Sequence, residues 1–105
     1  MEFGKLTKEE KNRYYEEVSR DIWQCVLMCA DVFPEGVVED IRQYLGHNEL
    51  GLAIESLAYM AIQHEVSISR DVKAAIMRTF AKMGYEEDEP EQYCAYKERL
   101  GDGGG

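Results

Sequence analysis

Cys25 and Cys29 stand four residues apart on a stretch of helical periodicity, so both thiols could serve a thiophilic metal if further ligands joined them. The paired spacings of zinc sites are absent, and both residues fall on an apolar stripe, where free cysteine packs as a small hydrophobe. His47 with Glu49 and His64 with Glu65 place imidazoles beside carboxylates, the raw material of acid and base catalysis. Sequence neighbours do not make a catalytic pair, however, and both histidines fall near expected helix ends, where a solvated or capping imidazole is the ordinary outcome. No serine or cysteine sits in a strained nucleophile turn, and no Gly-rich phosphate loop is present. The sequence therefore predicts binding rather than catalysis, with no metal or other cofactor.

The strongest chemical signal is charge. Glu86, Glu87, Asp88, Glu89 and Glu91 follow Tyr85 and precede Tyr93 and Tyr96, which sets carboxylates beside rings that commonly anchor protein interfaces. A charge run is often no more than a solvated face. The competing expectation is a docking surface, which Glu35, Glu39 and Asp40 would extend if the two clusters share a side. Twelve Lys and Arg against twenty-one Asp and Glu leave a formal charge of −9, which disfavours direct nucleic-acid binding and favours a basic protein partner.

Helices must position these groups. Thr7 to Glu10 spells a capping box, and behind it Tyr14, Val18, Ile22, Val26, Cys29 and Phe33 form one stripe, widened by Tyr15, Trp23 and Leu27. That first helix should end before Pro34, which suits the first turn of a second helix burying Val37, Val38, Ile41, Tyr44 and Leu45. Gly46 is the expected left-handed stop, and Asn48 with Glu49 the expected cap of a third helix through Leu50, Ala53, Ile54, Leu57, Ala58, Ala61 and Ile62. Because it is apolar on nearly every side, this helix belongs at the centre, where Gly51, Ala53, Ala58 and Ala61 would admit close neighbours. After the β-branched interruption Val66 to Ile68, Ser69 should cap a fourth helix with the stripe Val72, Ile76, Phe80 and Met83, ended by Gly84. A short fifth helix from about Pro90 to Leu100 would bury Tyr93, Cys94 and Tyr96. The expected fold is all-α, a compact bundle of four to five helices over residues 1–100, with residues 101–105 a flexible Gly-rich tail.

Three cysteines cannot all pair within one chain, no charged start with a following apolar run marks a secretory signal, and no run reaches the ~20 apolar residues of a bilayer span. A cytoplasmic location without membrane contact is expected.

The segment from Phe33 and Pro34 to Asp40, followed by His47 to Leu57, resembles the small helical immunity proteins of the MafI type, which are similar in role to contact-dependent inhibition antidotes. The resemblance rests on element order and on a pattern of acidic-x-Gly-x-Ala-x-Glu-x-Leu, here Glu49, Gly51, Ala53, Glu55 and Leu57. The Ile68-Ser69 turn and the helix ending at Met83-Gly84 also fit, so the likeness covers roughly Phe33 to Tyr85. The first helix and the acidic carboxyl end lie outside it. It implies an antidote that forms a one-to-one complex with a cognate toxin domain, a basic nuclease with RNase placed before DNase, while the charge and tyrosine pattern, not the resemblance, offers Glu35, Glu39, Asp40, Tyr85, Glu86, Glu87, Asp88, Glu89, Glu91 and Tyr93 as the contact residues. Within the pattern from Glu49 to Leu57, Glu55 looks like a structural hydrogen-bonding residue. The alternative is another acidic interaction module, or a nucleic-acid mimic, with a different basic partner.

Overall fold

In the computed structural model the described residues are 7–64 and 67–100, and they form helices without a strand among them. The elements are α1 (Lys8–Cys29), α2 (Glu35–Gly46), α3 (Leu50–Gln63), α4 (Arg70–Lys82), the single turn α5 (Tyr85–Asp88) and α6 (Pro90–Leu100). The expected all-α bundle is therefore what the chain forms, with one short turn added inside the acidic run. The glycine tail, Glu65 and Val66 lie outside the described residues.

The helix starts that depend on local chemistry form as expected. Glu10 N donates to Thr7 Oγ1 at 3.1 Å while Thr7 N donates to Glu10 Oε1 at 3.0 Å, closing the capping box. Val72 N donates to Ser69 Oγ at 3.2 Å at the start of α4. At the other end of α4, Gly84 takes φ 86°, and its N–H donates to Ala81 O at 3.0 Å.

The junction between α2 and α3 differs. Gly46 stays in the helix, and Asn48 takes the left-handed conformation at φ 57°. Asn48 N donates to Leu45 O at 3.1 Å and Glu49 N to Tyr44 O at 2.8 Å, the paired bonds of a Schellman ending two residues beyond the glycine. Asparagine tolerates this region because its short polar side chain compensates locally. With Asn48 used to end α2, Glu49 becomes the N-cap of α3 and makes no side-chain capping bond. Pro34 is likewise the residue before α2 rather than its first turn, and Phe33 is buried in the turn after α1, not in the helix.

The core gathers Val18, Ile22 and Val26 from α1, Ile41 from α2, Ile54 and Leu57 from α3, Ile76 and Phe80 from α4, and Leu100 from α6. Helix α3 packs against α1, α2, α4 and α6, so it is central, and Ala53, Ala58 and Ala61 are fully buried at its contacts. A radius of gyration of 13.5 Å fits the ~13 Å expected of a compact chain of about this length.

Three burial expectations fail for one geometric reason, the 100° step per helical residue. Leu27 is 61% exposed because it lies nearly opposite the Val18–Ile22–Cys29 line. Cys94 is exposed because the covered side of α6 runs through Tyr93, Tyr96 and Leu100. Helix α3, apolar all round, leaves Leu52 49% and Tyr59 58% exposed, since no helix among the described residues covers the side they share.

Candidate protein-docking face

The expected contact residues fall into separate places. Glu35, Glu39 and Asp40 are exposed along α2, where Glu39 reaches Arg42 at 3.7 Å. Glu86, Glu87 and Asp88 occupy α5, Glu89 follows it, and Glu91 lies in the first turn of α6, all exposed. Glu87 N and Asp88 N both donate to Gly84 O, at 3.2 and 2.8 Å, and Asp88 Oδ2 lies 3.2 Å from where a Cβ on Gly84 would stand. Glycine suits that corner because of its positive φ, while the exposed Asp88 carboxylate could give way to a side chain.

Tyr85 turns inward. Its hydroxyl donates to Glu55 Oε2 at 2.6 Å, and its ring meets Phe80 edge-on with centroids 4.7 Å apart. Burial first, then the bond to Glu55, raises its phenol well above the ordinary range. The hydroxyl lies 3.4 Å from an added Cβ at Gly51, so the glycine leaves room for it. Tyr93 is half-buried against the core. Both rings hold α5 and α6 onto the bundle, and the hydroxyl of Tyr85 is committed to an internal partner.

The side of α3 left uncovered forms the floor of a groove. Leu52, Ser56 and Tyr59 come from α3, Val37, Asp40 and Tyr44 from α2, and Tyr96 from α6, with Glu55 and Met60 completing a space of about 400 Å³. Tyr96 is fixed by its stack on Phe80, centroids 4.8 Å apart and planes 16° from parallel. The groove gathers tyrosines, an exposed leucine and carboxylates with no Lys, Arg or His among these lining residues. Of the expected contact residues only Asp40 lines it. Leu52 and Tyr59 are not legible as groove residues because their signal, an apolar helix without a polar side, reads equally well as complete burial, and Tyr44 belongs to the apolar stripe expected to be covered on α2.

Two other clefts are chemically different. Between α1 and α4, Asp21 and Asp71 share a cleft with Arg78 and Lys82, and Lys82 Nζ already donates to Glu17 at 2.5 Å and Asp21 at 2.9 Å. Glu87 and Asp88 line a cleft with Tyr14, Tyr15 and Asn48, which Lys82 again borders. Asp40 and the pair Glu87 and Asp88 therefore line different concavities.

Cys25 and Cys29 are buried, Cys29 Sγ donates to Cys25 O at 3.1 Å, and burial pushes both thiols up to about 11. His47 and His64 are the residues that end α2 and α3, and the His64 ring packs against Phe33. Among the described residues no three of His, Cys, Asp and Glu cluster as metal ligands, and no helix is long and apolar enough to cross a membrane. No protein-family model, curated protein or solved structure matches the chain.

Proposed function

We propose that this chain is a binding protein of the immunity type, which neutralises a basic protein toxin, a nuclease with RNase placed before DNase, by forming a one-to-one complex. The observation that carries this reading is the groove over α3. Leu52 and Tyr59 are large, apolar and exposed within it, where an isolated fold gains by covering them. Aromatic residues at the centre of a contact supply desolvated anchors, and carboxylates around them reject acidic partners.

The remaining charge supplies steering. A nuclease site must attract phosphate and is therefore commonly basic, so a chain of net charge −9 is drawn toward it before contact. The exposed run from Glu86 to Glu91 is the densest part of that field. The MafI-like pattern around Gly51 and Leu57 supports the same class of partner, and action by turnover forms no part of the proposal.

Co-expression tests it. Cells carrying the nuclease encoded beside this gene should survive when this chain is abundant and die without it; killing despite abundant chain sinks the proposal. The complex should survive salt that screens surface charge, because its centre is desolvated, whereas a nucleic-acid mimic held by field alone would release. Reversing Glu86, Glu87 and Asp88 to lysine should slow association several-fold with helicity intact, since rim charges act mainly on the encounter rate.

A further inference from the structure

The groove between α2, α3 and α6 has a more specific chemistry than general acidity. Tyr44, Tyr59 and Tyr96 contribute aromatic rings to its lining, Asp40 and Glu55 carboxylates, and Leu52 an apolar side chain. Two of these groups are held before any partner arrives. Tyr96 stacks on Phe80 and its hydroxyl accepts from Gln92 Nε2 at 3.5 Å, and Glu55 is held by the Tyr85 hydroxyl. Preorganised groups lose less freedom on binding.

A ring face attracts a cation, a carboxylate accepts a fork of two N–H donors, and an apolar floor suits an alkyl stem. Guanidinium meets all three demands, because it is planar, weakly hydrated and bidentate. Ammonium is a compact, strongly hydrated charge that cannot make the parallel pair. Two other clefts are bordered by Lys82 and a third by Arg20 and Arg42, whereas this groove has no Lys, Arg or His among its lining residues.

Resting on the reading that this face binds a basic polypeptide, we infer that the groove is the seat of an arginine side chain of the partner, stacked among Tyr44, Tyr59 and Tyr96 and paired with Asp40 and Glu55. This makes one residue of the partner the centre of recognition and the acidic run at α5 a peripheral guide.

The probe is a synthetic helical peptide with one arginine among alanine and leucine, compared with versions carrying citrulline or lysine, titrated into the isotope-labelled full chain. Resonances of Asp40, Tyr44, Leu52 and Tyr59 should move, and the arginine peptide should bind roughly tenfold more tightly than either counterpart. D40N and Y59A should each weaken it about tenfold, as a central contact does. E16Q removes the same charge at a separate surface beside Arg20 and Arg42, and it should bind as the parent does. Asp40 and Tyr59 are exposed, so both variants should keep the parental helicity. Equal binding of arginine and citrulline, equal binding of arginine and lysine, perturbation centred on Glu86 to Glu91, or parental affinity in both variants would overturn the inference.

Protection against the neighbouring nuclease is scored separately. If D40N and Y59A bind peptide normally and still protect, the arginine seat falls and the antidote reading stands. Arginine-selective binding without protection does the reverse.

Discussion

Replacing Tyr85 by phenylalanine tests the bond that ties the single-turn α5 to α3. The ring survives, so its edge-on contact with Phe80 at 4.7 Å should persist, and the loss is confined to one hydroxyl beside Gly51. That hydroxyl donates to a carboxylate at 2.6 Å, and a bond to a charged group contributes ~1.5–3 kcal/mol. Glu55 is only half-buried and can recover water, which lowers the expected cost to about 1–2 kcal/mol at neutral pH. With a urea slope of ~1–3 kcal/mol/M, the unfolding midpoint should fall by roughly 0.3 to 2 M.

The same substitution has a signed pH signature. Burial and the Glu55 bond raise the Tyr85 phenol above its ordinary 10 in the fold, so the folded chain keeps a proton that the unfolded chain releases. Its contribution is complete below pH ~10 and declines above that by ~1.4 kcal/mol per pH unit. Cys25 and Cys29 lose stability in the same direction from about pH 9, but they titrate in both proteins and cancel in the difference. The gap between parent and variant should therefore shrink above pH ~10 and close near pH ~11. Urea titrations followed by helical circular dichroism at several pH values read both quantities. A midpoint unchanged at neutral pH, with alkaline curves that stay parallel, refutes the reasoning.

Thiol chemistry should separate Cys94 from the other two cysteines: a neutral aromatic disulfide reagent should label it quickly, while Cys25 and Cys29, buried and pushed up to about 11, react only on unfolding. Three fast thiols in the folded chain would contradict the core described above. Asn48→Gly should leave thermal stability unchanged or raise it by a few tenths of a kcal/mol, whereas Asn48→Val should cost ~1–2 kcal/mol, because only the first relieves the left-handed backbone. Lys82→Ala removes the pairs with Glu17 and Asp21 that tie α4 to α1. The Lys82 side chain is a third exposed, so the expected cost is only ~0.5–1 kcal/mol and should shrink in high salt; a salt-independent loss would assign the effect to packing instead.

Features written in a few consecutive residues were the legible ones. Thr7 with Glu10, Ser69 before α4 and Gly84 after it each satisfy backbone groups within one turn, so their residue types announce them. The end of α2 was less legible because Gly46 and Asn48 can both supply a left-handed residue, and the choice depends on which ending lets α3 pack. Glu55 was readable as a hydrogen-bonding residue, but its partner, Tyr85, lies thirty positions away, beyond the reach of any local pattern. The groove was least legible of all. Leu52 and Tyr59 carry the same hydrophobic signal as Ala58 and Leu57, and sequence cannot say how many neighbours surround a helix.

By itself the sequence determined an all-helical chain, the positions of its main breaks, its core stripes and its strong negative charge, because each follows from residue type or from a period shorter than two turns. Tertiary packing alone decided that α2 and α6 flank α3 without covering its Leu52–Tyr59 side. It also decided that Asp40 and the pair Glu87 and Asp88 line different concavities and that Tyr85 points inward. The physical reason is that a helix specifies which side chains share a face, while the exposure of that face depends on the crossing of other helices and on contacts between residues far apart in the chain.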